Sequence, residues 1–240
     1  MAQSMAQCLC YKEKMAQFEM EYGVITSVVI GTNVTAIIDK AFWDCKTIET
    51  IYLSDSVVSI GRDAFTGCVR LEVINIPNSV TEIGEGAFEY CALKSIEFPN
   101  QLESMATCLL DRCNDLQYLF IPRSVKSIGR AAIGGDNLLR VVFEGTIEYI
   151  DAFYLHWYPK LSQLVFLEEP PIDYGGNPND LEAFGMTFYR DPLPTIYVLN
   201  RYRVLWFPNG ETAWNGCPLV FIDDISEVPP PPDINGVFAP

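Results

Sequence analysis

Two twelve-residue stretches of the chain are near copies of one another. VVSIGRDAFTGC runs from Val57 to Cys68, and VTEIGEGAFEYC runs from Val80 to Cys91, 23 residues further on. Both keep the first Val, the Ile-Gly pair, the Ala-Phe pair and the final Cys, while the residues between them change. A phrase that recurs at a fixed spacing indicates a repeat architecture, so it predicts further copies along the chain.

The same period extends through most of the 240 residues. An apolar-x-apolar pattern follows each copy of the phrase, and seven such patterns are spaced by 23, 23, 22, 23, 22 and 23 residues. Their first residues are Val28, Ile51, Ile74, Ile96, Leu119, Val141 and Leu164. Alternation of this kind predicts one short strand per repeat, with its first and third side chains turned toward the core.

Each repeat continues with a second apolar pair, such as Val57 and Ile60, which predicts another short strand. The Ala64-Phe65 pair and its equivalents are interpreted as a helical turn. A coil of this size cannot bury its apolar side alone, so we expect the coils to stack. The predicted fold is a strand-dominated α/β repeat solenoid of about seven to eight coils of 22–23 residues.

Gly61, Gly84 and Gly129 directly follow the second strand in their coils. Glycine is suited to a backbone with positive φ, and it also permits a close approach between neighbouring backbones. The sequence leaves both explanations open.

The consensus I-x-I-P-x-S-V-x-x-I-G-x-x-A-F-x-x-C-x-x-L, from Val24 to about Phe166, resembles the BspA-like leucine-rich repeats. The later stretch DPLPTIYVLNRYRVLWFPNGETAWNGCPLVFID looks like the closing segment of that family. The resemblance implies a right-handed, curved leucine-rich-repeat array with capping segments. It also implies a protein that binds partners, often at the surfaces of bacteria or protists, and that is not an enzyme.

Both ends of the array depart from the repeat, as expected where terminal coils must be covered. The predicted organisation is an N-terminal cap or disordered lead at 1–22, the solenoid at 23–167, an irregular repeat with a loop and C-terminal cap at 168–225, and a proline-rich mobile tail at 226–240. Within the cap, residues 196–198 and 219–222 are predicted strands. Tyr202, Leu205, Trp206 and Phe207 are predicted to cover the last coil.

Charge and composition exclude several classes of partner. The chain carries 16 Lys and Arg against 31 Asp and Glu, a formal net charge of −15, so no nucleic acid partner is expected. No apolar run is long enough to predict a membrane span. The start MAQSMAQCLCYKEKMAQ lacks signal-peptide features, so an intracellular location is the default. A start further upstream would instead permit a surface or secreted location.

The chemistry-bearing residues do not form a recognisable reactive site. Cys45, Cys68, Cys91 and Cys113 share one repeat position, so they form a column that cannot converge on a metal ion. They are interpreted as buried reduced thiols. His156 is the only histidine and is interpreted as an ordinary turn residue. We therefore predict no catalytic site, no metal site and no cofactor.

The candidate binding site lies on the outward-facing positions of the first strand in each coil. The later coils place an excess of apolar residues there, which predicts an exposed patch flanked by an arginine. The predicted partner-binding residues are Tyr52, Glu97, Tyr118, Phe120, Arg140, Val142 and Val165. In the alternative interpretation, the loop from Glu168 to Asp180 or the C-terminal cap folds over the patch and buries it.

These patterns favour a non-enzymatic protein-binding module that engages a protein or peptide ligand through the sheet face. The alternative is a structural spacer, or a cell-surface adhesin-like domain, whose working surface lies elsewhere. The run Pro229–Pro232 adds an SH3 or WW domain as a candidate partner, because such domains bind polyproline segments.

Overall fold

The computed structural model describes residues 24–151, 158–169, 193–206, 210, 212–214 and 217–230. The predicted cap at 1–22, His156, Phe207 and most of the Glu168–Asp180 loop lie outside these residues.

One parallel strand from every coil except the fourth builds the first strand column. Its members are Ser27–Ile30 (β1), Thr50–Leu53 (β3), Val73–Asn75 (β5), Tyr118–Ile121 (β8), Arg140–Phe143 (β10), Gln163–Phe166 (β12), Thr195–Leu199 (β13) and Cys217–Ile222 (β15). Equal repeat positions lie side by side, so that Ile51 pairs with Val28 on one side and with Ile74 on the other. The 22–23-residue period is therefore the sequence separation between residues that pair across neighbouring coils. The predicted solenoid is confirmed.

Shorter strands build a second column on another side of the stack. They are Ala36–Ile37 (β2), Ser59–Ile60 (β4), Glu82–Ile83 (β6), Ser104–Met105 (β7), Ser127–Ile128 (β9) and Tyr149–Ile150 (β11). These strands form two three-stranded parallel sheets, β2-β4-β6 and β7-β9-β11. The buried member of each pair, such as Ile60 or Ile128, points into the core.

Both columns are interrupted at the fourth coil. The predicted strand Ile96-Glu97-Phe98 forms no ladder with its neighbours, although Ile96 and Phe98 are buried as expected. This coil is one residue shorter than the one before it, because Cys91-Ala-Leu93 replaces the longer Cys68-Val-Arg-Leu71. The shortened turn coincides with the break in the strand columns.

The segment after each second strand is a run of hydrogen-bonded turns, so the prediction of a helical turn is wrong. The N–H groups of Lys40, Phe42 and Asp44 donate to carbonyls of the next coil at 2.7–2.8 Å. The N–H groups of Ala41 and Trp43 donate within their own coil at 3.2 Å. Equivalent positions in several coils have φ of 53–59° although they are not glycine: Lys40, Asp44, Asp63, Tyr90, Cys108, Arg112 and Ala131. A helix would instead direct every N–H group along its own axis.

A continuous ladder of like side chains forms the core. The predicted inward residues Ile51, Ile74, Ile96 and Leu119 are all buried. Next to them, the ring of Phe65 is stacked between those of Phe42 and Phe88, with centroid separations of 5.3 and 5.4 Å. Because each ring contacts the rings of both neighbouring coils, the stack links successive coils through apolar contacts.

Close packing explains the repeated glycines, and positive φ does not. Gly61, Gly84 and Gly129 all lack a positive φ. A Cβ atom on Gly84 would lie 2.5 Å from the backbone nitrogen of Arg62, and one on Gly129 would lie 2.7 Å from that of Thr107. The backbones of neighbouring coils approach too closely here for any side chain.

The first column continues into the C-terminal part of the chain. β13 pairs in parallel with β12, and β15 pairs with β13 so that Leu219 lies opposite Ile196. These pairings confirm the two predicted strands, and Ala213–Trp214 (β14) adds an antiparallel edge.

A 3-10 turn at Asn200–Tyr202 and a short helix at Arg203–Trp206 follow β13. Tyr202 packs against the core, but Leu205 is exposed, so the prediction that Leu205 covers the last coil is wrong. Its side chain lies on the outer side of this short helix.

The beginning of the predicted mobile tail is packed against the sheet. Ile225–Glu227 forms a 3-10 turn, and Val228 is buried among residues of the first strand column. The prediction of a mobile tail is therefore wrong for residues 226–230, because an apolar contact and local hydrogen bonds hold them. Residues 231–240 lie outside the described part of the chain.

Candidate functional site

The outer face of the first strand column is open over the earlier coils. Tyr52 and Phe120 are 48% and 45% exposed, and Glu97 between them is also exposed. Tyr118, which shares a strand with Phe120, is half-buried. These four predicted site residues form the open part of the face.

Two valines that were not predicted as site residues extend the open part. Val29 and Val73 are exposed on the same face, where Val29 pairs with Tyr52 and Val73 pairs with Thr50 on the same strand as Tyr52. Val29 is the in-between residue of the first coil, so the strand alternation that selected Tyr52 was sufficient to find it. Asn75, in contrast, is occupied: its side chain accepts from the Leu53 N–H at 2.7 Å and donates to the Leu53 carbonyl at 2.9 Å.

Over the later coils the outer face is covered, so the predicted exposure of Val142 and Val165 is wrong. Val142 is 5% exposed and Val165 is fully buried. They belong to a second apolar cluster, outside the main core, that also contains Tyr197, Leu199, Ile222 and Val228. The C-terminal segment Ile225–Pro229, here called the covering segment, lies over this part of the face. The alternative interpretation expected the patch to be buried, but by the loop or by the cap at 168–225, whereas residues 226–229 belong to the predicted tail.

Arg140 lies beside Tyr118 at the edge of the open part, and its side chain holds the covering segment. Its Nε donates to Gln163 Oε1 at 2.7 Å, and its Nη2 donates to the carbonyl of Pro229. Gln163 Nε2 donates to the same carbonyl at 3.0 Å. Burial lowers the pKa of the Arg140 guanidinium, although an arginine remains charged at any physiological pH.

The predicted site is thus divided into two neighbouring parts. Tyr52, Glu97, Tyr118 and Phe120 lie on the open part, and Arg140, Val142 and Val165 lie on the covered part. The two parts meet where Phe120 pairs with Val142 and Tyr118 pairs with Arg140 across β8 and β10.

The cysteine column is buried, as predicted, and three of its thiols are also hydrogen-bonded. Cys45, Cys68, Cys91 and Cys113 form no disulfide with one another. The thiols of the last three donate to the carbonyls of Phe42, Phe65 and Phe88 at 3.1–3.2 Å. Burial raises the pKa of the Cys113 thiol to about 12 and raises those of Cys68 and Cys91 as well.

We expect a thiol reagent at about pH 8 to leave this column unmodified in the native protein. The reagent needs a thiolate and access to the sulfur, and burial removes both. Cys108 is only partly buried and serves as the internal control that reacts before denaturant is added. Peptide mapping by mass spectrometry measures the sites. Rapid native modification of Cys68 or Cys91 would contradict the buried assignment.

The described residues contain no group of three or more His, Cys, Asp or Glu side chains arranged to hold a metal ion. The buried hydroxyl of Tyr158 donates to the carbonyl of Ile133. Among the described residues, no helix has the length and apolar character that a membrane crossing requires.

The coils stack through parallel strands whose residues alternate between the core and the outer face. This arrangement defines a solenoid of the leucine-rich repeat class. The chain belongs to the family described as BspA type leucine rich repeat region, whose profile matches residues 19–161 in six copies. Proteins of this class are generally non-enzymatic scaffolds for protein interaction or surface display. No curated protein matches the chain.

The chain is similar to several solved bacterial structures. One is a leucine rich cell surface protein from Faecalibacterium prausnitzii, with 30% identity and a TM-score of 0.55 over 62% of this chain and 41% of that chain. The match therefore spans less than half of that protein. Another is the leucine-rich repeat protein TpLRR of T. pallidum, with 25% identity and a TM-score of 0.49 over 59% of this chain and 73% of that chain.

Proposed function

We propose that the protein is a non-enzymatic binding module that engages a protein or peptide partner through the open part of the outer face. The observation that carries the proposal is the exposure of Phe120 and Tyr52 on hydrogen-bonded strands of a rigid stack. Exposed aromatic side chains held on a rigid surface lose little conformational entropy on binding and are enriched among interface hot spots. Glu97 supplies a charged position between them.

The chemistry of the partner follows from the surface. The net charge of −15 disfavours nucleic acid and anionic membrane surfaces. Exposed apolar side chains on both sides of a carboxylate fit a protein segment with apolar side chains and a basic residue. An SH3 or WW partner for Pro229–Pro232 remains a second prediction, and it would have to compete with the contacts that hold the Pro229 carbonyl to Arg140 and Gln163.

The alternative proposal is a spacer or a cell-surface, adhesin-like domain that contacts partners elsewhere. The similarity to a protein described as a leucine rich cell surface protein supports a surface location. A spacer does not require exposed aromatic side chains on its outer face, and this difference allows the two proposals to be separated by substitution.

We expect the double substitution Tyr118→Ala and Phe120→Ala to weaken binding of a partner captured on the wild-type chain by at least about 30-fold. This factor corresponds to one hot spot of about 2 kcal/mol. Phe120 is about half exposed, so the melting temperature should fall by only a few degrees. Titration calorimetry with the captured partner and thermal unfolding measure the two quantities.

Tyr149→Ala is the matched control, because Tyr149 is an exposed tyrosine on the second strand column, away from the outer face. It should leave the affinity unchanged. Unchanged affinity in the double variant, or an equal loss in the Tyr149 control, would reject the open face as the binding site and favour the spacer.

A further inference from the structure

We propose that the covered part of the outer face is a peptide-binding surface for a short segment, folded as a 3-10 turn, in which two aliphatic residues, three positions apart, are followed by proline. In this structure the covering segment, Ile225–Pro229, occupies the surface in cis. A partner peptide of the same chemistry competes with it. The inference deepens the proposed function, because it names a partner chemistry for the same sheet face.

The polar half of this surface recognises a backbone carbonyl. Gln163 is 4% exposed, and no other amide or charged side chain in the described part of the chain is as completely buried. Its amide and the Arg140 guanidinium, from adjacent strands, both donate to the carbonyl of Pro229. Two donors that converge on one carbonyl fix the position of a bound segment without reading its side chains.

The apolar half accepts two aliphatic side chains. Val228 is buried against the cluster that contains Val142, Val165 and Tyr197, and Ile225 packs against the same cluster. The 3-10 turn places Ile225 and Val228 on the same side, because residues three apart are eclipsed in that conformation.

The covering segment is shaped by its own local hydrogen bonds. Asp224 accepts from the Ser226 N–H at 2.8 Å, and Glu227 accepts from the N–H groups of Asp223 and Asp224 at 2.9 and 3.0 Å. These bonds form a capping box around the turn, while Ser226 and Glu227 remain exposed. The segment therefore contacts the sheet mainly through its two aliphatic residues and one carbonyl, which are contacts that a separate peptide can reproduce.

Displacement of the segment would join the two parts of the face. Phe120, Val142, Val165 and Tyr197 are directly paired neighbours across four strands, so they become one apolar strip when Val228 leaves. A tethered segment competes at an effective concentration of roughly millimolar. A peptide with a dissociation constant of tens of micromolar should therefore bind the occupied surface roughly 10- to 100-fold more weakly than the vacated one.

The test uses the full chain and a fluorescent synthetic peptide, IDDISEVPPPP, which has the sequence of residues 222–232. Val228→Asp in the chain places a charge in the apolar cluster and should release the covering segment. By fluorescence anisotropy, we expect the V228D chain to bind the peptide at least 10-fold more tightly than the wild type does. V58D is the matched control: Val58 is exposed outside the outer face, so this variant should bind as weakly as the wild type.

Two further variants connect the binding to the proposed contacts. Gln163→Ala added to V228D should remove most of the gained affinity. Glu227→Ala loosens the capping box without touching the apolar cluster, and it should increase peptide binding to a smaller degree. E227A also provides a test if V228D does not fold, because Glu227 is exposed.

The proposal is overturned if folded V228D or E227A chains bind the peptide no better than V58D. It is also overturned if a wild-type dimer in light scattering becomes monomeric in V228D, since the segment would then serve a second copy of the chain. The assay requires no captured partner. Neither result therefore tests whether a partner binds the open part of the face at Tyr52 and Phe120, which the Tyr118→Ala and Phe120→Ala double variant tests.

Discussion

Replacement of Phe65 by alanine should lower the free energy of unfolding by about 3–5 kcal/mol, the range for removing a buried phenylalanine. Phe65 has no exposed surface, and its ring is stacked between those of Phe42 and Phe88. The substitution leaves a cavity between three successive coils, and the fixed coil spacing prevents the neighbouring rings from closing it. Urea unfolding monitored by circular dichroism measures the change.

The control for this prediction is Tyr149→Ala, an aromatic residue that is 56% exposed. Its loss should change stability by no more than about 0.5 kcal/mol, as is usual for surface substitutions. If F65A and Y149A have similar unfolding curves, the aromatic stack does not link the coils.

Gly84→Ala should destabilise the protein by about 3 kcal/mol, at the upper end of the usual range for overpacking. The added Cβ would lie 2.5 Å from the Arg62 nitrogen and 2.7 Å from the Gly61 carbonyl carbon. Both are backbone atoms of the preceding coil, so rotation of a side chain cannot relieve the contact. Thermal and urea unfolding measure the effect.

Gly31→Ala is the matched control, because a Cβ atom there meets nothing within 4 Å and Gly31 does not have a positive φ. This substitution should be neutral or stabilising by up to about 1 kcal/mol, since it reduces the entropy of the unfolded chain. Equal destabilisation of G31A and G84A would contradict the close-packing explanation.

The fold could be predicted from the sequence because the same kind of apolar residue recurs at each inward position of the repeat. The anchors at Ile51, Ile74 and Leu119 recur because stacked coils place equal positions side by side, and the structure buries all three. The backbone conformation of the turns was harder to predict from the sequence. Lys40, Asp63, Cys108 and Ala131 share a positive φ at one repeat position but have no common side-chain chemistry. The N–H groups of the first three donate to carbonyls of the next coil, a contact that does not depend on the side chain.

The division of the binding face was the main feature that strand alternation could not predict. Alternation correctly turns Val142 and Val165 away from the main core, but it cannot show what covers them. A local signal was present in D-I-S-E, where Asp224 and Glu227 have the spacing of a capping box. The proline run that follows suggested a tail, although Val228 and Pro229 in fact contact the sheet.

The central claim is that a partner binds the open part of the outer face, and hydroxyl-radical footprinting of the complex tests it most directly. The method reports the exposure of individual aromatic side chains. Tyr52 and Phe120 should lose most of their reactivity when the captured partner is present, while Tyr149 and Tyr90, which are exposed outside the first strand column, should keep theirs. Protection of Tyr90 or Tyr149 with Tyr52 and Phe120 unchanged would place the binding site elsewhere and contradict the claim.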